Sequence, residues 1–409
     1  MKNLTLSIIA VTLFLNACSS QISAPSPEGV KDAFPDGGVD SSSSDNESSS
    51  ANSGQEGQTN EVEEFDAHKA FKSESIRSIL ASNIPLATGK GSISMKIMNG
   101  TNGHYSNGDI YWGILGINPS NGRWSYLDKR GILRSLSRSL NDANGHLSKN
   151  GTNFANIYHR TSEIDWIEIP KITSGRLYIC IGSPCYIKTF DTGFAGPNID
   201  NPSDPNINVY FDFIEFTIDD SGYHGNTTRV DGFGFPLQHR LVNRNGTYDQ
   251  VVGEREDVSR AQIFDAYLSQ VSEPFQALGR QQAPYRIVAP IHGAFREGGA
   301  QAKYFDNYIQ RVWKKKSKPS TQNVLLCNGP LAEDPSGCAG LNRGVYEDVG
   351  AWKIPAKYYS TAPANAYAQF WHKQAIGGLA YGFAYDDFNQ QAAYQEVKDP
   401  KGLILRVGW

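Results

Sequence analysis

The spacing of apolar and polar residues changes character along the chain. From 84 to 241 the apolar residues fall in short or alternating runs between Gly, Asn and Ser clusters. Residues 110–117 (Ile-Tyr-Trp-Gly-Ile-Leu-Gly-Ile) and 164–169 are two such runs, and the pattern predicts strands. Many short strands between turn residues predict a sandwich or barrel. The clearest pair is 209–218 and 226–238, both rich in β-branched and aromatic residues. Residues 219–225 between them hold Asp, Ser and Gly, so a hairpin is predicted. Alternation places Phe211, Phe213, Glu215 and Thr217 on one face and Tyr210, Ile214, Phe216 and Ile218 on the other.

From 242 to 375 the period lengthens. Ile263, Phe264, Tyr267, Leu268 and Val271 form a helical stripe, with Ser259 placed to cap it. Residues 300–313 and 363–376 predict two further helices, and 285–290 a short buried strand. Residues 379–387 and 403–407 read as strands again. The expected fold class is therefore mainly β with an α/β part. A β domain spans 84–241, an α/β domain 242–375, and the chain returns to the β domain over 376–409.

The first 64 residues have a different pattern. Lys2 followed by the apolar run 4–15 reads as an export signal, since the run is shorter than the ~20 residues a membrane span needs. Leu15-Asn16-Ala17-Cys18 resembles a bacterial lipobox, which implies lipidation at Cys18 and a signal peptide over 1–18. Ser19 is not the Asp associated with inner-membrane retention. The expected address is thus the outer membrane or cell surface, with ordinary secretion as the alternative. Residues 19–64 are Ser-rich with few apolar positions and predict a disordered tether. Residues 65–80 predict a short helix.

Composition narrows the function classes. A hydrophobic content of 39% supports a packed core. A formal charge of −4 provides no basic surface and argues against nucleic acid as a partner. The eight His form no HExxH, and neither a GxSxG elbow nor a P-loop is present, so neither metal nor cofactor is expected. His224 reads as surface, and Tyr111, Trp112 and Trp124 as core. Apart from Cys18, four Cys allow three pairings. Cys180 and Cys185 bracket a tight turn, while Cys327 and Cys338 flank a Gly/Pro loop. Local disulfides, Cys180 with Cys185 and Cys327 with Cys338, are expected in an exported chain.

The candidate chemistry lies on the predicted hairpin. The midpoint between positions 215 and 231 is residue 223, inside the loop, so a symmetric hairpin sets Glu215 opposite or nearly opposite Asp231. Two facing carboxylates equip a glycosidase, although such a pair also occurs on solvated or ion-paired edges. Residues 211–217 (Phe-Asp-Phe-Ile-Glu-Phe-Thr) and 226–236 (Asn-Thr-Thr-Arg-Val-Asp-Gly-Phe-Gly-Phe-Pro) resemble the signature of glycoside hydrolase family 64. Residues 170–176, 201–206, 286–290, 338–345 and 381–387 continue the resemblance in one order. Residues 230–233 and 384–387 are also similar to segments lining the acidic cleft of thaumatin-like proteins.

The resemblance implies an exported endo-β-1,3-glucanase that cleaves laminarin- or curdlan-type glucan to short oligosaccharides with inversion. It implies a thaumatin-like β-barrel or sandwich and an α/β domain flanking a wide groove, in a monomer. Glu215 would be the general acid and Asp231 the base. Phe211 and Phe213 are expected to desolvate Glu215, as a general acid requires. Thr217, Asn226, Thr228, Gln238, Asp386 and Asp387 are candidate substrate-binding residues. Inverting pairs stand ~6.5–9.5 Å apart, so an offset near Gly232 is expected. The alternative is a glucan-binding thaumatin-like surface lipoprotein without catalysis. The membrane is expected as a partner only through the Cys18 anchor.

Overall fold

Two β-sheets pack face to face in a computed structural model that describes residues 73–88 and 91–409. The smaller sheet runs Asp249–Gly253, Leu237–Asn243, Pro400–Gly408, Ile93–Gly100, Ile167–Ile169. The larger runs Tyr394–Val397, Tyr223–Thr227, Tyr210–Ile218, Ile172–Ile181, Ile110–Asn118, Arg123–Leu127, Leu133–Ser135, with His159–Arg160 paired to Ile110–Asn118. Among the described residues pairing is antiparallel, except that Pro400–Gly408 lies parallel to Ile93–Gly100. The two sheets thus include Asp249–Gly253, past 241, and the late strands Tyr394–Val397 and Pro400–Gly408.

Alternation explains the layers. Ile214, Phe216 and Ile218 are buried between the sheets against Leu403, Leu405 and Val407. Phe211 and Phe213 point to the outer face of the larger sheet, among Tyr178, Cys180 and Leu115. Each inward side chain contributes about 1.5–3 kcal/mol by leaving water. Cys180 and Cys185 are bonded to each other, as are Cys327 and Cys338.

The outer face of the smaller sheet is covered by a strap, residues 73–84. Ile76 and Ile84 pack on Met98, Val242 and Ile404. Arg240 donates to the carbonyls of Ile76 and Ile79, Arg406 to that of Glu74, and Lys401 to that of Ala81. Residues 73–80 are turns and bends, not the expected helix, because these side chains occupy carbonyls a helix would use. A 3-10 turn follows at Ala81–Asn83. The export signal, Cys18 and the tether lie outside the described residues.

The middle of the chain is helical, with one two-residue strand where an α/β pattern was expected. Arg260–Gln270 is capped by Ser259 and Gln262 in a reciprocal box. Ala366–Gln374 is capped by Asn365. Asp306–Val312 starts later than expected, because residues 300–305 form turns. Residues 379–387 form no strand: 379–382 are irregular, and a bend and a turn follow. Phe383 and Tyr385 are buried in the helical core, and the Asp386 carboxylate accepts from the Gly382 N–H to close the loop. Ile287–Val288 pairs with Gly232–Phe233 and ties the helical part to the sandwich.

Candidate active site

Glu215 sits in the middle of the Tyr210–Ile218 strand, with its side chain on the outer face of the larger sheet. Its cross-strand neighbours are Arg176 and Asn226. Asp231 is not opposite it, contrary to the symmetric hairpin. The Ser221 N–H and hydroxyl both donate to Asp219 Oδ1, and this Asx turn closes the hairpin over 219–222 instead of 219–225. The second strand then stops at Thr227. Asp231 follows in a bend, immediately before Gly232 pairs with Val288. Gly232 has φ +151°, and a Cβ there would meet the Ile287 carbonyl oxygen at 2.7 Å.

Arg176 and Tyr178 connect the two acids. Arg176 Nη2 donates to Glu215 Oε1 at 2.6 Å and Nη1 to the Tyr178 hydroxyl at 3.2 Å. The guanidinium lies 4.5 Å from the Phe213 ring. Glu215 therefore has a cation beside it, and the Phe213 ring packs on that cation. Burial pushes the Tyr178 hydroxyl up and Arg176 pulls it back, while the charges of Asp231 and Glu215 both add to the rise. One phenol thus lies within electrostatic reach of both carboxylates.

Asp231 is the more open of the two, its side chain 32% exposed against 6% for Glu215. Burial raises its carboxyl, but a hydrogen bond and charge from His292 and the charge of Arg176 outweigh that and hold it below the usual carboxylate range. The segment before Asp231 is anchored by fully buried Arg229. Its guanidinium bonds both oxygens of Glu254 and both of Asp212, and its carbonyl accepts from the Tyr367 hydroxyl.

The remaining candidates separate into groups. Asn226 stands beside Glu215, buried, and its Oδ1 has no hydrogen-bond partner among the described residues. Thr217 is opposite His224, two positions along the same face. Asp387 is half-buried; burial and the charge of Asp386 raise its carboxyl to about 6. It also adds to the rise of the Tyr394 hydroxyl, and Tyr394 pairs with Asn226. Thr228 Oγ1 accepts from the Val230 N–H, which braces the approach to Asp231.

Two candidates do not reach the site. Gln238 is fully buried in the smaller sheet, bonded to the Glu254 carbonyl and Arg406, because the chain crosses between sheets after Asp231. Asp386 is fully buried, its oxygens engaged by Arg343, His372 and the Gly382 N–H, so it braces Asp387 and offers no free oxygen to a sugar. His224 is not plain surface. It bonds the Ser221 and Tyr394 hydroxyls and is 5% exposed.

Sequence reasoning missed Arg176, Tyr178, Tyr394, His292 and Asp200. Arg176 ends one of the matching segments and His292 lies just past another, which was the available signal. No group of His, Cys, Asp and Glu among the described residues could hold a metal ion.

Comparisons with known proteins place the chain among β-1,3-glucanases. A family model described as beta-1,3-glucanase, that of glycoside hydrolase family 64, matches residues 91–317 and 314–407. A crystal structure of a laminaripentaose-producing beta-1,3-glucanase of that family, from Paenibacillus barengoltzii, is 55% identical with a TM-score of 0.79. That match covers 83% of this chain and 80% of the other. A family 64 beta-1,3-glucanase domain from Clostridium beijerinckii is 35% identical with a TM-score of 0.74, covering 80% of this chain and 100% of the other. A glucan endo-1,3-beta-glucosidase from Arthrobacter sp. (strain YCWD3) is 24% identical over 302 residues, which cover 59% of this chain and 53% of the other. The chain spans about half the length of the curated relatives it matches. With a family model matched over most of its length, and two solved members aligned over four-fifths of it, the chain belongs to glycoside hydrolase family 64.

Proposed function

We propose that the protein is an endo-β-1,3-glucanase that releases short oligosaccharides from laminarin- or curdlan-type glucan by inversion. The observation that carries this reading is the unequal setting of two carboxylates about Arg176 and Tyr178, one enclosed at Glu215 and one open and held ionised at Asp231. Glu215 donates its proton to the departing glycosidic oxygen. Asp231 takes a proton from a water that attacks the anomeric carbon from the opposite face. Each cycle leaves Glu215 ionised and Asp231 protonated, and solvent exchange restores both. Asn226, Thr217 and Asp387 bind hydroxyls beside the pair, in a wide groove of thaumatin-like type. The Paenibacillus enzyme has also been crystallised with laminarihexaose, which supports the choice of ligand. Export as a lipoprotein anchored at Cys18 remains part of the reading. A Cys18→Ala variant expressed from the full chain should leave the membrane fraction.

NMR of fresh laminarin digests tests the stereochemistry, since inversion at a β-linkage gives the α-anomer first. Glu215→Gln and Asp231→Asn should each lower turnover by at least ~10²-fold, the contribution of one general acid or base. Binding of laminarin should survive in both variants. Specific binding with no turnover in the wild type would favour the non-catalytic glucan-binding alternative.

A further inference from the structure

The loop at 198–206 and the segment 286–292 contain two of the segments that resemble the family, 201–206 and 286–290, yet neither has a part in the reaction described above. They converge on Asp231. Asp231 accepts the Ala289 N–H at its carbonyl, and Gly232 pairs with Val288, which sets the 3-10 turn Pro290–His292 beside it. His292 Nε2 lies 3.4 Å from Asp231 Oδ1, and Nδ1 lies 2.8 Å from Asp200 Oδ2. The first contact is long, as catalytic hydrogen bonds often are without substrate.

Asp200 is brought there by a braced loop. Its N–H bonds Asn198 Oδ1, while Asp204 accepts from the N–H groups of Asn198 and Asn206. Buried Arg286 donates to the carbonyls of Asn206, Ile207 and Val209, and Gln282 donates to that of Ile199. Three distant segments are thus fixed around one imidazole. This scaffolding exceeds what a surface ion pair requires.

We infer that His292, clamped by Asp200, is the positioning residue for Asp231, holding Oδ1 so that Oδ2 faces the attacking water. The inference rests on the reading of Asp231 as the base. A cation on Oδ1 keeps the carboxylate charged between turnovers and helps expel the proton it has taken. Burial lowers the imidazole's pKa, but hydrogen bonds and charge from Asp200 and Asp231 outweigh it and carry His292 to about 9. The other groups facing Asp231 are Arg176, Tyr178 and Tyr367, so His292 and Arg176 are the two cations acting on it.

The test is the pH profile of kcat/KM on laminarin for His292→Gln, which keeps a donor but loses the charge, and for Asp200→Asn. His292→Gln should shift the acid limb upward by about 1 unit or more, because Asp231 loses a neighbouring cation; Asp200→Asn should not raise it, since the imidazolium stays charged at acid pH. Turnover should fall about 10- to 100-fold in both with KM nearly unchanged, the scale of a misplaced reacting group. A fall in turnover with an unmoved acid limb in His292→Gln would make His292 merely structural and overturn the inference. Asp231→Asn separates the two claims. If it retains turnover, the base assignment itself fails; if it is inactive while His292→Gln keeps the wild-type profile, this inference fails alone. Should His292→Gln not fold, 15N NMR of the wild type decides. An imidazolium should persist to about pH 9 and titrate lower in both Asp231→Asn and Asp200→Asn, and its absence would refute the clamp.

Discussion

Arg229 carries two buried acids on one guanidinium, and it does so two residues before Asp231. Removing it would leave Asp212 and Glu254 enclosed without a counter-charge. Arg229→Met should therefore cost about 3–5 kcal/mol, read as a lower midpoint in urea unfolding with little change in slope. At this scale the two candidate acids were legible and the groups around them were not. Glu215 and Asp231 could be named because a strand pattern and a signature surround them. Arg176 became visible only once register paired Ile172–Ile181 with Tyr210–Ile218. No periodicity links His292 to Asp231, which is 61 residues away. Gln238 misled for the converse reason: it is near Asp231 in sequence but lies in the other sheet.

The strap shows what one short element contributes. Deletion through residue 72 should leave the thermal midpoint unchanged. Deletion through residue 84 removes Ile76 and Ile84 from the face formed by Met98, Val242 and Ile404, at a cost of about 3–6 kcal/mol for two buried side chains. Differential scanning calorimetry of the two truncations separates these outcomes. Strands were the easiest elements to read, since alternation at 210–218 maps directly onto two faces. The hairpin turn was harder, because Ser221 bonding to Asp219 shortens the loop by three residues and moves every pairing after it. Residues 379–387 are apolar enough to resemble a strand. Phe383 and Tyr385 are instead buried in the helical core together with Ala380 and Ala384, so alternation has no meaning there.

Two histidines should shape the stability of the whole molecule in opposite directions. His239 is buried with Nε2 on the Tyr223 hydroxyl, and burial lowers it from 6.5 to about 3. Below pH 6.5 the unfolded chain takes up a proton that the folded chain refuses. Stability should fall by about 1.4 kcal/mol per unit as pH drops towards 3, and His239→Gln should flatten that slope. His292 is raised to about 9, so its contribution is complete below 6.5 and lost as pH climbs from 6.5 through 9. Urea titrations between pH 4 and 9.5 on the two Gln variants would resolve the two limbs.

The strap also decides how the protein can be attached to something else. It lies on the outer face of the smaller sheet, while Glu215 belongs to the outer face of the larger one and Asp231 to the bend beyond it. A bead, display scaffold or fusion partner joined ahead of residue 73 would therefore sit behind the sandwich and leave the carboxylates clear. The other end offers no such freedom. Trp409 packs edge-on against Tyr105 and Tyr210 and under Arg260, so a C-terminal tag would begin inside an aromatic cluster. Immobilised through its N-terminal side, the protein should act on laminarin as the free protein does, whereas C-terminal coupling should lower its thermal midpoint.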